Sequence, residues 1–371
     1  MGIILAGGGV KHSRMGDLAA KRAVAAMPIA GSYRSIDFAL SNMTNSHIQK
    51  VAVFTQDNAR SLNEHLSSSK WWNFGRKQGG LYVFTPTRTQ DNSDWYRGTA
   101  DSIAQNIEFI KDSHEPYVVI ASGDGVYKMD YNKVLQYHID KTADITVVCK
   151  EMGPDTNVER FGCVKTDADG RITEFTEKPV KVESHLISCG IYIIRRRQLV
   201  EMIERAAEEN RYDFVSDILI RYKDVKRIYA YKTDDYWKNI STIQDYYDTN
   251  MDFLKPEIRS YFFKQYPEVY SKIDDLPPAK YNVGVSVKNS LVSSGSIING
   301  TVEDSVIFKQ VFVGNNCTIK NSIILNDVYI GDNTYIENCI VESRGTIRAN
   351  SVHKGEDGIK VVVEKNERYV I

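Results

Sequence analysis

A chain of 371 residues is too long for one small core, so its length alone sets an expectation of two domains. It is 42% hydrophobic and 26% charged with a formal net charge of −1, so no global field recruits nucleic acid or an anionic membrane. No apolar run approaches the roughly 18 residues of a membrane span. The first residues lack a basic stretch followed by an apolar core, and Ala6 stands where a myristoylation signal needs Ser or Thr. Five cysteines (Cys149, Cys163, Cys189, Cys317 and Cys339), without CxxC spacing, fit reduced thiols, and a cytoplasmic protein is the expectation.

The chain opens with an apolar run, Ile3 to Ala6, that enters Gly7, Gly8 and Gly9. Strand followed by glycine loop cradles phosphate in many α/β proteins, because backbone N–H groups reach the oxygens where no Cβ intervenes. Val10, Lys11 and His12 follow, so the stretch is neither G-x-G-x-x-G nor G-x-x-x-x-G-K-[ST]. "VAVFT" (51–55), "YVVIA" (117–121), "ITVVC" (145–149) and "IYII" (191–194) read as strands buried on both faces. Helix-like segments such as 101–112 and 196–210 lie between them. This alternation predicts a mostly parallel sheet with helices on both sides and a ligand crevice beyond the strand ends.

Several stretches carry candidate chemistry. The "SSSK" run (67–70) and "GRKQGG" (75–80) read as a mobile loop beside the site. "WYRGTADSIAQN" (95–106) sets Gly98 and Thr99 before Ala100 and Asp101, a loop feeding a helix N-terminus. Such a terminus hosts an anion or a base edge, or is simply capped by Thr99 or Asp101. Asp124, between Gly123 and Gly125 at a strand end, suits a carboxylate holding Mg²⁺ against phosphates, or a turn aspartate. In "EFTEKP" (174–179) Lys178 is either a point charge for a sugar phosphate or half of a solvated Glu-Lys pair. The seven histidines show no metal-ligand spacing, and no Ser-His-Asp arrangement can be read.

Past Pro256 the pattern changes. After the breaker-rich "DDLPPAKYN" (274–282), aliphatic residues recur at positions 285, 291, 297, 302, 307, 313, 319, 324, 330, 336, 341 and 347. Steps of five or six residues are the hexapeptide signature of a parallel β-helix, one aliphatic per flat face pointing inward. The organisation expected is a first domain over 1–250, a linker over 251–280 and a β-helix over 281–371. Only His353 could serve as a general base in the repeats, so that half reads as structural rather than as an acyltransferase.

Motifs spanning nearly the whole chain appear in one order: "ILAGG", "YRSIDFALSNMTNS" (33–46), "WYRGTAD" (95–101), "GDGVYKMDY" (123–131), "EKP" (177–179), "SCGIY" (188–192) and "YWKNISTI" (236–243). In this the chain resembles bacterial glucose-1-phosphate adenylyltransferase, also called ADP-glucose pyrophosphorylase. The resemblance implies a Rossmann-like nucleotidyltransferase domain followed by a left-handed β-helix. It also implies attack of glucose 1-phosphate on the α-phosphorus of ATP with Mg²⁺, releasing ADP-glucose and pyrophosphate for glycogen synthesis. By motif position, Tyr96, Gly162, Glu177, Lys178 and Ser188 match the family's sugar-phosphate contacts. Gly7, Gly8, Arg14, Gln56, Gly98, Thr99 and Asp101 match the nucleotide side, and Asp124 matches the metal-binding aspartate.

The departures from the family pattern fall on its catalytic apparatus. Gly9 to His12 separate Gly8 from Ser13-Arg14, four residues where the pattern has two. Val24 stands in a lysine's place, Asn239 in that of an aspartate, Ser241 in that of a glycine and Ser216 where catalytic members resemble a lysine. No catalytic set is intact on this reading, and the loss of one carboxylate and two cations removes transition-state stabilisation. The "RAVAAMP" and "YWKNIST" variants resemble the family's non-catalytic D-type subunit. That resemblance implies a regulatory partner of a catalytic ADP-glucose pyrophosphorylase subunit, in a hetero-oligomer of tetrameric order. Retention of Tyr96, Asp124, Glu177 and Lys178 implies that a sugar phosphate or nucleotide still binds. The competing reading is a pyrophosphorylase active on its own, with Lys11 or Lys21 replacing the cation missing at Val24.

Overall fold

The computed structural model describes residues 1–7, 14–75, 79–87, 95–154 and 156–364. The first half runs β1 (Gly2–Leu5), β2 (Pro28–Ile29), β3 (Tyr33–Arg34), α1 (Ser35–Asn45), β4 (Lys50–Phe54), α2 (Arg60–Leu66), β5 (Gly80–Phe84), α3 (Thr99–Ala104), α4 (Ile107–Lys111) and β6 (Tyr117–Ser122). It continues through β7 (Gly125–Tyr127), α5 (Tyr131–Asp140), β8 (Ile145–Glu151), β9 (Gly162–Thr166), β10 (Ile172–Glu177), β11 (Leu186–Arg195), α6 (Arg196–Glu208), β12 (Ile228–Lys232), β13 (Trp237–Asn239), α7 (Ile243–Asp252) and α8 (Pro256–Phe263). The central strands lie in the order β6-β1-β4-β5, all parallel, and β11 joins antiparallel to both β6 and β8. Ile3, Ile4, Val51, Val53, Val118 and Ile120 are fully buried or nearly so, because helices cover both faces. Among the described residues no helix is long and apolar enough to cross a membrane.

Two local readings change. The single helix expected over 101–112 is broken into α3 and α4, because Asn106 Nδ2 donates to the Ser102 carbonyl (2.9 Å) and to Tyr96 Oη (3.0 Å). A short amide side chain that competes for a helix carbonyl favours a break there. The 67–70 run is part of an ordered stretch, since Ser69–Trp72 forms a 3₁₀ turn with Trp72 fully buried and its Nε1–H donating to the Tyr270 carbonyl at 3.2 Å.

The second half forms three five-stranded parallel sheets, the arrangement of a left-handed β-helix. Val302, Ile319 and Ile336 stack on one inner face, Ile307, Ile324 and Val341 on another, and Ile298, Val313, Ile330 and Ile347 on the third. On the first coil the inward residues are Val292 and Ile298 rather than Leu291 and Ile297. Both strands there are pairs of adjacent aliphatics, so spacing alone cannot choose between neighbours. The corners are built from residues with positive φ, among them Asn316, Asn333 and Asn350, which tolerate the left-handed region better than most. Their amides stack as a ladder, Asn316 Nδ2 donating to Asn333 (3.1 Å) and Asn333 Nδ2 to Asn350 (3.0 Å). Asn333→Ala should therefore cost about 1–2 kcal/mol, read as a lower urea midpoint.

The two halves share one core. Leu291, Val306, Ile323, Ile340 and Val361, the outward residues of one β-helix face, pack with Met15, Leu18, Phe38, Tyr246, Phe253 and Phe262. Arg22 and Glu342 form an ion pair, both nearly buried, across the same seam.

Candidate functional site

One rim of the crevice forms where β1, β4 and β6 end. Gly7 follows β1, and a Cβ there would meet Gln56 Cγ at 3.7 Å. Gln56 Oε1, beside Gly7, is shut off from water and has no hydrogen-bond partner among the described residues. A Cβ on Gly123, just past β6, would lie 3.1 Å from Ala25 Cβ and 3.4 Å from Ala6 Cβ. The 3₁₀ turn Val24–Ala26 thus presses directly on the strand end.

β7 and β13 pair antiparallel with Gly125 opposite Asn239, and the Ile240 N–H donates to the Asp124 carbonyl at 3.2 Å. Asp124 and Asn239, far apart in sequence, are thereby neighbours. Ser122 Oγ donates to Asp124 Oδ1 at 2.5 Å, and Asn239 Oδ1 accepts the Ser241 N–H at 3.0 Å. Arg14, exposed, bridges Thr242 through its backbone at the same rim. Gly8 and the inserted residues Gly9 to His12 lie outside the described residues.

The opposite rim carries the sugar-phosphate candidates. Gly162 pairs with Glu177, and a Cβ on it would stand 2.6 Å from Phe175 and 2.9 Å from Glu177 Oε2, so the close approach requires glycine. Burial pushes the Glu177 carboxyl up, with Lys178 opposing and Asp213 adding to the effect. Lys178 sits at φ 48°, its N–H held by the Phe161 carbonyl at 3.1 Å and its ammonium largely exposed, 3.8 Å from Glu177. Ser188 is buried with Oγ 3.5 Å from the Tyr192 hydroxyl, and it accepts the Gly190 N–H at 3.3 Å. The register of β11 slips between Ser188 and Tyr192, and there a Cβ on Gly190 (φ 69°) would lie 3.4 Å from Ser122 Cβ. The bulge brings the two rims together.

The 96–101 segment is engaged by its own chain. The Tyr212 carbonyl accepts the N–H groups of Ala100 (2.8 Å) and Asp101 (3.2 Å), and a Cβ on Gly98 would stand 2.3 Å from that oxygen. Thr99 Oγ1 accepts the Phe214 N–H at 2.8 Å, and the Asp101 carboxylate accepts from the Arg97 backbone at 2.8 Å and from Gln105 at 3.0 Å. The first-turn N–H groups of α3 are therefore satisfied by the Tyr212 carbonyl and not by a Thr99 or Asp101 side-chain cap. Tyr96 is buried, its hydroxyl accepting from Asn106, and burial raises its pKa.

Residues that the sequence did not single out complete the second rim. Asp213 acts electrostatically on both Glu177 and Tyr192, while the Ser216 beside it is exposed and donates its N–H to Asp213 at 2.7 Å. Trp237 is buried, packs edge-on against Phe161 at 5.7 Å, and has no partner for its indole N–H. No spacing rule points to these residues, since they reach the site only through pairing of remote strands.

Mg²⁺ is usually held by one or two carboxylates together with substrate phosphates. The rim offers the Asp124 carboxylate and an Asn239 amide oxygen that already accepts a backbone N–H. Among the described residues no group of three or more His, Cys, Asp or Glu side chains could hold a metal. Among the described residues the rim thus supplies one carboxylate, leaving the rest of any magnesium coordination to substrate phosphates.

Residues 1–256 match the nucleotidyl transferase family model, and residues 277–360 match that of the GlmU-like C-terminal hexapeptide. The glucose-1-phosphate adenylyltransferase of Thermosipho africanus is 40% identical over 314 residues, covering 84% of this chain and 76% of that protein. Those of Clostridium acetobutylicum and Bacillus subtilis are 40% and 38% identical, each covering 85% of this chain and 83% of the relative. The chain belongs to the glucose-1-phosphate adenylyltransferase family.

Within this family frame one cleft of the molecule is a separate feature. It encloses about 1010 Å³ between the two domains, lined by Lys21, Arg22, Arg34, Lys309 and Glu342 among others, and includes none of the candidate site residues. Three of its cations are engaged internally: Arg22 with Glu342, Lys309 with Asp274 at 2.8 Å, and Arg34 with the Ser61 carbonyl at 2.7 Å.

Proposed function

We propose that this chain is a regulatory, non-catalytic subunit of a glucose-1-phosphate adenylyltransferase in glycogen synthesis. The chemistry then takes place in a catalytic partner subunit within a cytoplasmic hetero-oligomer, a tetramer by resemblance. The observation that carries the reading is the state of the nucleotide rim. Where catalytic members resemble a lysine, Val24 packs against the apolar cluster of the domain seam. Where they resemble a metal-binding aspartate, Asn239 is spent on the Ser241 N–H. Polyphosphate transfer depends on positioning and on charge stabilisation, and this rim supplies one carboxylate and no cation at those two positions. Mg²⁺ entering with a nucleotide would meet Asp124 and be held mainly by phosphate oxygens.

The sugar rim is better preserved. Gly162 lets Phe175 and Glu177 close against its backbone, Lys178 offers an exposed ammonium, and Ser188 lies at the bulge. Glucose 1-phosphate binding without turnover is the expected residual property. An independently active enzyme would need a cation in place of Val24: Lys21 lines the interdomain cleft, and Lys11 lies outside the described residues. The test is ADP-glucose synthesis by the purified chain with ATP, glucose 1-phosphate and Mg²⁺, alone and mixed with a cognate catalytic subunit. Silence alone with a raised rate in the mixture supports the proposal, and robust turnover alone overturns it.

Lys178→Ala should weaken glucose 1-phosphate binding by about 100-fold, since a charge-assisted contact to phosphate is worth roughly 2–3 kcal/mol. Titration calorimetry reads this directly. Thermal stability should stay within a degree or two, because an exposed ion pair contributes about 0–1 kcal/mol.

A further inference from the structure

Arg160 lies just ahead of Gly162 and is not part of either rim, yet it is tied to both. Its guanidinium grips Asp245 of α7 bidentately, Nη2 donating to Oδ1 at 2.7 Å and Nη1 to Oδ2, with Nη1 also 3.5 Å from Thr242 Oγ1. Thr242 is the N-cap of α7, accepting the Asp245 N–H at 3.1 Å, and its backbone bridges Arg14 on the nucleotide rim. Asn239 lies three residues before it on β13. In the other direction Arg160 lies over the Phe161 ring at 4.7 Å, and the Phe161 carbonyl holds the Lys178 N–H. Phe161 also packs edge-on against Trp237 of β13.

We infer that the Arg160–Asp245 pair is a positioning clamp that sets the distance between the two rims and holds Lys178 in its left-handed backbone conformation. A lysine at φ 48° persists only where its surroundings over-determine it, and here the deciding contact is a carbonyl adjacent to the clamped arginine. A purely stabilising pair would be expected to satisfy all its donors. Arg160 Nε, however, is shut off from water without a partner among the described residues. Both side chains are only half-buried, 22% exposed each, and an ion pair so placed adds little to stability, so geometry is what this one maintains. Two planar groups joined by two parallel bonds fix orientation as well as distance, which lysine in place of arginine would not do.

The consequence for ligand binding rests on the proposed sugar-phosphate rim, whereas the consequence for Lys178 does not. The test compares the full chain with Arg160→Gln, with Asp245→Asn, and with the charge-exchanged double variant Arg160→Asp/Asp245→Arg. Amide exchange at Lys178 should quicken by roughly tenfold in either single variant and slow again in the double, with β-helix amides 323–330 unchanged. Glucose 1-phosphate affinity by calorimetry should fall about 10- to 100-fold in the single variants and recover in part in the double. Unaltered Lys178 exchange in both single variants, or acceleration spread evenly over the chain, overturns the clamp. If the wild-type chain takes up no glucose 1-phosphate while the exchange pattern holds, the clamp stands and the sugar-phosphate reading falls.

Discussion

Asp37→Ala should lower the stability of the chain by about 3–5 kcal/mol. Asp37 is fully buried in the first turn of α1, and its two oxygens serve three separate segments. Oδ1 faces His65 Nε2 at 2.6 Å, while Oδ2 accepts the Arg34 N–H at 2.8 Å and the Ser271 hydroxyl at 2.6 Å. Alanine would leave these partners buried without an acceptor and open a cavity beside Trp72, whose ring lies 5.2 Å from that of His65. Asp37→Asn, which keeps one acceptor oxygen, should cost less than half as much. Urea titration followed by circular dichroism separates the two, and a loss below about 1 kcal/mol for alanine would contradict this account.

Stability should also fall between pH 6.5 and about 4, through His138. This side chain is buried beneath Tyr117, with Nδ1 2.9 Å from Thr146 Oγ1 and Nε2 without a partner. Burial, with Arg195 reinforcing it and Asp144 opposing, pushes its pKa from 6.5 down to about 4. The folded ring therefore stays neutral where the unfolded ring takes up a proton. Stability is fully present above pH 6.5 and is lost as pH falls towards 4. The loss reaches up to about 3 kcal/mol at 1.36 kcal/mol per unit. His138→Asn should flatten this limb of the pH profile while lowering the plateau at neutral pH. An unchanged slope in that variant would assign the loss to other groups.

The β-helix was legible in the sequence because each coil repeats the same short sterics: an inward aliphatic, a tight corner, and Asn or Asp where φ turns positive. The strands of the first half were legible for a similar reason, being continuous apolar runs between polar loops. The site was legible only in part. Glu177 and Lys178 announce themselves through a motif, and Gly162 matches one, but its necessity depends on Phe175 and Glu177 crowding it across a hairpin. Asp213 and Arg160 have no local signal at all, and the motif that contains Trp237 does not tell of its packing, since their roles arise where remote segments meet. Asp37 shows the opposite case. It stands in one of the most recognisable motifs of the chain, yet its contacts are with the scaffold and not with the crevice.

The seam between the halves is periodic in a way that limits how this protein can change. Leu291, Val306, Ile323 and Ile340 each occupy the same outward place on successive coils, and together they form the surface on which the first domain rests. The steps between them are unequal, 15 residues from Leu291 to Val306, 17 to Ile323, 17 to Ile340 and 21 to Val361, so the corners absorb extra residues while the face that meets Phe253 and Phe262 keeps its register. A whole coil added beyond the last would leave the seam untouched. A change of length placed at a corner therefore leaves the seam in register, whereas a residue added inside a face strand would exchange its inward and outward sides.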